Sequence, residues 1–118
     1  MKVRALLALA ATAIVFTACS FESKNERLAD RITKAVMAND LGPVKNDINP
    51  KVNITRSQIA NASDELNDQG KLESVKENPN CDAGWHCFDV KFEKHTYTER
   101  FSLDENGKIT HWKYHIAN

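Results

Sequence analysis

Apolar residues recur along this chain at two different spacings, and the change falls at Gly70. From about Asn25 to Asp40, Leu28, Ile32, Ala35 and Val36 return every three or four residues, with Ala29 and Met37 widening the stripe. That spacing predicts an amphipathic helix. Gly42-Pro43 reads as its stop, because glycine suits the position after a helix and proline cannot continue one. Val44 to Asn49 reads as a short second helix before Pro50. A stronger start signal follows. Thr55 and Gln58 match a capping box, with Ile54 and Ile59 placed as its hydrophobic staple. Ile59, Ala62 and Leu66 supply the buried stripe of a helix over 56–68, and Gly70 ends it.

After Gly70 the apolar period becomes two. Leu72 to Glu77 reads as a strand closed by Asn78-Pro79-Asn80. Phe88, Val90 and Phe92 alternate with Asp89 and Lys91; Tyr97, Phe101 and Leu103 with Thr98, Arg100 and Ser102. Trp112, Tyr114 and Ile116 alternate with His111, Lys113 and His115, after an Asn106-Gly107 turn. The pattern predicts an α+β domain, with helices at the N-terminal side packed on a four-stranded antiparallel sheet.

The strand phases give an inward row: His86, Phe88, Val90 and Phe92; Tyr97, Glu99, Phe101 and Leu103; then Thr110, Trp112, Tyr114 and Ile116. A turn after Phe92 pairs it with Tyr97 and sets Val90 against Glu99. The Asn-Gly turn pairs Leu103 with Thr110 and sets Glu99 against Tyr114. On the outer face the same register sets Asp89 against Arg100, a favourable pair, and Arg100 against Lys113, an unfavourable one. One carboxylate therefore falls in an apolar row beside a phenol. Burial would raise its pKa, as a general acid requires. One reading is a pocket around Glu99 with Tyr114, Tyr97 and His86 as neighbours. The other is a solvated Glu99 at the sheet rim.

Composition narrows the classes. Lys plus Arg and Asp plus Glu number 16 each in 118 residues, for a net charge of zero. Nucleic-acid binders carry a basic surplus, so that class is excluded. No glycine-rich phosphate cradle is present and no cofactor motif is found. His111 and His115 lie on a predicted strand, roughly 13 Å apart, too far for one metal ion, and no catalytic set emerges.

The N-terminus has its own character. Lys2 and Arg4 precede an apolar stretch from Ala5 to Ala18, too short to span a bilayer and suited to a secretory signal. Its end, Phe16-Thr17-Ala18-Cys19, resembles the lipobox of bacterial lipoproteins. The resemblance implies cleavage before Cys19 and lipid on its sulfur. It divides the chain into a signal peptide (1–18), a lipidated tether (19–25) and one domain (26–118). Ser20 is not the aspartate that retains such proteins in the inner membrane, so the resemblance implies the outer membrane, facing the periplasm. The other reading is an ordinary signal peptide with an incidental cysteine. Losing Lys2 and Arg4 leaves 14 basic against 16 acidic residues, a net charge of −2. With Cys19 taken by lipid in an oxidising compartment, Cys81 and Cys87 close as one disulfide; a metal pair with His86 is the rival. Trp85 lies inside that loop, either as an exposed anchor for a protein partner or folded over the disulfide.

The order of helices and meander, from Ile54 through Gly70-Lys71-Leu72-Glu73-Ser74-Val75 to Leu103-Asp104-Glu105-Asn106-Gly107-Lys108-Ile109, resembles small secreted domains of the nuclear transport factor two-like kind. That resemblance implies a curved sheet in a cystatin-like roll. Such folds host enzymes, binders and immunity proteins alike. Two functions follow as expectations. One is a non-catalytic envelope lipoprotein serving as a binding, accessory or exclusion/immunity module, anchored in the membrane through Cys19 and partnered by an envelope protein. The other is a small lipoprotein enzyme or ligand binder using the concave sheet face around Glu99 and Tyr114.

Overall fold

The computed structural model describes residues 23–117. The predicted signal peptide and the lipidation site at Cys19 lie outside the described residues. Helix α1 spans Lys24–Met37, a 3₁₀ turn Gly42–Asp47, and helix α2 Arg56–Asn67. Strands β1 (Leu72–Asn78), β2 (His86–Phe92), β3 (Thr96–Leu103) and β4 (Ile109–Ile116) follow. The strands form one open antiparallel sheet in the order β1-β2-β3-β4. The fold is α+β, as the change of period predicts. Counted over the whole chain, the helices lie mid-sequence rather than at the N-terminus.

Local chemistry explains the boundaries. The Ser23 hydroxyl accepts the Glu26 N–H at 3.0 Å and caps α1, so the helix begins inside the expected tether. It ends earlier than the Gly42-Pro43 stop predicts. Asn39 adopts a left-handed φ of 55°, Asn39 N–H bonds the Val36 carbonyl, and Asp40 N–H bonds that of Ala35. Those bonds make a Schellman closure, a role asparagine can take in place of glycine. The short second helix expected over 44–49 is a 3₁₀ turn placed two residues earlier, at Gly42–Asp47, with Pro43 in its first turn. The capping box of α2 forms as expected, with Thr55 and Gln58 bonded in both directions.

The β3–β4 register sets Glu99 against Tyr114 and Arg100 against Lys113, as predicted. An irregularity after Ser102 pairs Leu103 with Ile109, not Thr110. The β2–β3 register differs by two residues. Phe88 faces Glu99, Val90 faces Tyr97, Cys87 faces Arg100, and Asp89 faces Thr98. The expected Asp89–Arg100 pair therefore does not form. The cause is a tighter turn, with Phe92 N–H bonded to the His95 carbonyl at 2.9 Å. Its tip is pinned from a distance: Glu93 N–H bonds the Lys71 carbonyl, Lys94 N–H bonds that of Gln69, and Glu93 Oε1 accepts the Lys71 N–H at 2.6 Å.

Gly70 makes that clamp possible. Its φ is +86°, and an added Cβ would lie 2.8 Å from Glu93 Oε1 and 3.0 Å from Glu93 Cβ. Gly70→Ala is expected to destabilise the domain by about 1–2 kcal/mol, from left-handed strain and displacement of Glu93. Urea unfolding of the two proteins checks this; equal midpoints would show that the clamp is not structural.

The core lies between α1 and the inner sheet face. Leu28, Ala29, Ile32, Ala35 and Val36 of α1 share one cluster with Ala62 and Leu66 of α2 and Phe88, Val90, Phe92, Tyr97 and Phe101 of the sheet. Each buried aliphatic or aromatic side chain contributes about 1.5–3 kcal/mol. Val44 of the 3₁₀ turn and Ile109 complete the cluster. Ile48 bridges to Ile109 beside β4, and Asn49 N–H bonds the Ile109 carbonyl at 2.9 Å, covering part of that sheet edge. Coverage ends before the last residue of β4. Ile116, expected on the inward row, is 43% exposed.

Candidate functional site

Glu99 is buried in the inner face, 2% exposed, and not at a solvated rim. β3 places it between Phe88 and Tyr114, and α1 supplies its partner. Thr33 Oγ1 lies 2.8 Å from Glu99 Oε2 and 2.8 Å from the Ala29 carbonyl oxygen. Glu99 Oε1 and Trp112 Nε1 are both buried without a hydrogen-bond partner, although the indole N–H is near enough to favour the carboxylate. Desolvation dominates and pushes the Glu99 pKa up to about 8; the Thr33 hydroxyl and the nearby Trp112 indole N–H oppose the rise, and the charge of Asp30 adds to it.

The hydrogen-bond inventory agrees with a neutral acid. A threonine hydroxyl carries one proton, and here two acceptors would compete for it if Glu99 were ionised. With Glu99 protonated, its O–H donates to Thr33 Oγ1 and the Thr33 O–H donates to Ala29. The remaining carboxyl oxygen then faces an indole donor. The group behaves as a buried structural acid. Solvent does not reach it, so a substrate could not either without displacing α1.

The tyrosines form a second cluster, with Tyr97 fully buried and Tyr114 half-buried. Tyr97 and Tyr114 have ring centroids 5.8 Å apart. Their hydroxyls converge on Glu65 of α2, Tyr97 donating to Oε1 at 3.3 Å and Tyr114 to Oε2 at 2.9 Å. Burial pushes the Tyr114 phenol up to about 12, aided by its hydrogen bond to Glu65 and the charge of that carboxylate. Burial also raises Tyr97, again with Glu65 contributing. Both phenols stay protonated as donors. Pattern reading of the sequence misses Glu65. The available signal is its place three residues after the buried Ala62, on the flank of the α2 stripe.

Glu99 and Tyr114 are thus backbone neighbours with separate side-chain partners. His86 does not join either group. The two-residue change of register sets it opposite Phe101, with ring centroids 5.9 Å apart. Its Nδ1 lies 3.4 Å from the Asn25 amide nitrogen, at the end of the sheet where α1 begins. The predicted four-residue pocket therefore resolves into a buried acid, a tyrosine–glutamate cluster and a separate histidine. Beside the tyrosines runs a groove of about 490 Å³, lined in part by Ile54, Ile59, Thr110, Trp112 and Tyr114.

Cys81 and Cys87 lie within bonding distance, with Cα atoms 5.7 Å apart, inside the disulfide range. Trp85 is half-buried and reaches past the cysteines onto the outer sheet face. The Arg100 guanidinium lies 4.5 Å from its ring centroid, Lys113 Nζ 5.8 Å, and the His111 ring meets it edge-on at 5.9 Å. Ser102 holds the loop there by donating to the Gly84 carbonyl at 2.8 Å. His111 and His115 are exposed on the same face. Among the described residues, no group of three His, Cys, Asp or Glu side chains is placed to hold a metal ion. Nor, among them, is any helix long and apolar enough to cross a membrane. No protein-family model, curated protein or solved structure matches the chain.

Proposed function

We propose that this chain is a non-catalytic lipoprotein of the bacterial cell envelope, anchored through lipid on Cys19 in the outer membrane, with its domain facing the periplasm. There it serves as a binding or accessory module, a class that includes exclusion and immunity lipoproteins. The observation that carries the non-catalytic reading is the filled inner face. Phe88 and Phe101 are fully buried, α1 shares their cluster, and Glu99, the one buried carboxylate among the described residues, is closed off beneath Thr33. The lipobox-like Phe16-Thr17-Ala18-Cys19 supports the anchor. The paired Cys81 and Cys87 suit an oxidising compartment.

The test is cross-linking in intact cell envelopes, followed by capture of this protein and mass spectrometry, with Cys19→Ala as control. One dominant envelope protein, lost in the control, is the expected result. A background-level profile in both would remove the accessory role. It would shift weight to a second reading, a small enzyme or ligand binder, which the groove beside Trp112 and Tyr114 favours. In that reading the ligand meets Trp112 and Tyr114, and Glu99 lies one layer beneath.

A further inference from the structure

The outer sheet face holds an arrangement that folding alone does not favour. Arg100 and Lys113 stand directly opposite each other on β3 and β4, and like charges in that position repel. Among the described residues neither joins an ion pair. Arg100 Nε is buried without a hydrogen-bond partner. Both cations lie over the Trp85 ring, which offsets part of their repulsion by cation–π attraction. His111 adds its ring edge. An indole fastened among uncompensated cations on a bare sheet face suits a surface that is both anionic and interfacial. Indoles favour the headgroup level of bilayers, and arginine and lysine favour anionic lipid.

The chain's route points to the same surface. Ser23 donates to Glu77 Oε1 at 3.0 Å, and Asn25 meets His86. Thus α1 starts at the rim where Asn78 pairs with Cys87 and the Trp85 loop hangs. Two acids at this rim are engaged: Glu26 accepts the Glu77 N–H at 3.0 Å, and Glu77 accepts from Ser23; Asp82 of the Trp85 loop is exposed. Three residues lie between Cys19 and Ser23, so the four steps span at most about 14 Å of extended chain. A lipid on Cys19 therefore keeps this rim, and Trp85 with it, within reach of the headgroups.

We propose that the outer sheet face, centred on Trp85, Arg100 and Lys113, docks onto anionic phospholipid headgroups and lays the domain against the membrane that anchors it. The proposal rests on the anchor reading for its geometry, and the experiment separates the two. The processed protein is purified from envelopes, and its intact mass shows whether Cys19 carries lipid. It is then placed on vesicles of phosphatidylcholine alone or with 30% phosphatidylglycerol, each containing lipid brominated on the acyl chains. Comparison with Trp85→Phe isolates the Trp85 emission from that of Trp112.

The expected result is quenching of Trp85 on phosphatidylglycerol vesicles only, reversed by 0.5 M salt. Each cation removed lowers the docked population about fivefold, so Arg100→Gln with Lys113→Gln abolishes the signal. Arg100→Lys with wild-type Lys113 keeps most of it, which guards against simple misfolding. Absence of quenching in lipidated protein overturns the docking proposal and leaves the anchor standing. If the mass shows no lipid, the anchor reading fails, and the same vesicles then read binding directly. Phosphatidylglycerol-dependent quenching sustains the face; none overturns it. Quenching unchanged in the double glutamine variant also overturns it, as does protection of Trp85 by a co-purifying acidic protein in the absence of anionic lipid.

Discussion

Glu99→Gln is expected to remove most of the pH dependence of stability between pH 5 and 8. The folded pKa of Glu99 is raised from 4.5 to about 8. Folding therefore favours the protonated form, and the sign follows. The group's contribution is intact below pH 4.5, falls as pH rises toward 8, and is flat above. The slope approaches 1.4 kcal/mol per pH unit where only the unfolded chain is ionised. Glutamine keeps the geometry of the neutral acid, since its amide donates to Thr33 and its carbonyl faces Trp112. Its second N–H lacks the acceptor that a carboxylic acid does not need, at a cost of about 1–3 kcal/mol. The variant is accordingly less stable than wild type in acid and more stable at pH 8, with crossing curves. The gap between them should change by roughly 3–4 kcal/mol across the window. That is a large part of the 5–15 kcal/mol typical of a domain. Urea unfolding at half-unit pH steps reads the gap, and contributions of other titrating groups cancel in the difference. Parallel curves would show that Glu99 is ionised in the fold and would remove the buried-acid account.

The parts of this fold that were legible in the sequence are those specified by neighbours in sequence. Thr55 and Gln58 announce α2 because a capping box closes over three residues. Asn106-Gly107 sets the β3–β4 register well enough to place Glu99 against Tyr114, because Gly107 takes the positive φ, 77°, that the turn requires. The β2–β3 turn carries no such signal. Glu93 and Lys94 are ordinary residues, held by bonds to Gln69 and Lys71 more than twenty positions earlier. A two-residue error there separated Asp89 from Arg100, and it set Phe88 rather than Val90 against Glu99. Similarly, alternation places Glu99 inward, but its partner Thr33 is 66 residues away and sits in a helix that reads only as amphipathic. Glu65 escapes for the same reason. Charged residues on the flank of a helix show their purpose only when a distant strand brings two phenols to them. The Trp85 cluster was half legible: the Arg100–Lys113 repulsion appears in the register, while the indole that offsets it comes from a loop whose direction no local rule sets.

Phe101→Ala is expected to destabilise the domain by about 3–5 kcal/mol. Phe101 is fully buried and stacks on Phe88, with centroids 5.0 Å apart and planes at 28°. It is flanked by His86 on β2 and Trp112 on β4. The cavity left behind cannot collapse easily. Both neighbouring strands are held by ladder hydrogen bonds, and α1 is fixed above by its own stripe, so the lining atoms lose their contacts outright. Ile116→Ala on the same sheet is the internal comparison. At 43% exposure it loses little burial, and a cost within about 1 kcal/mol is expected. The two changes remove side chains of similar apolar character from one sheet, so their difference reads how much the helix cover contributes. Urea midpoints for both, at constant slope, give that difference. If Phe101→Ala costs no more than Ile116→Ala, the inner face is not packed, and the filled core that excludes a substrate from Glu99 falls with it.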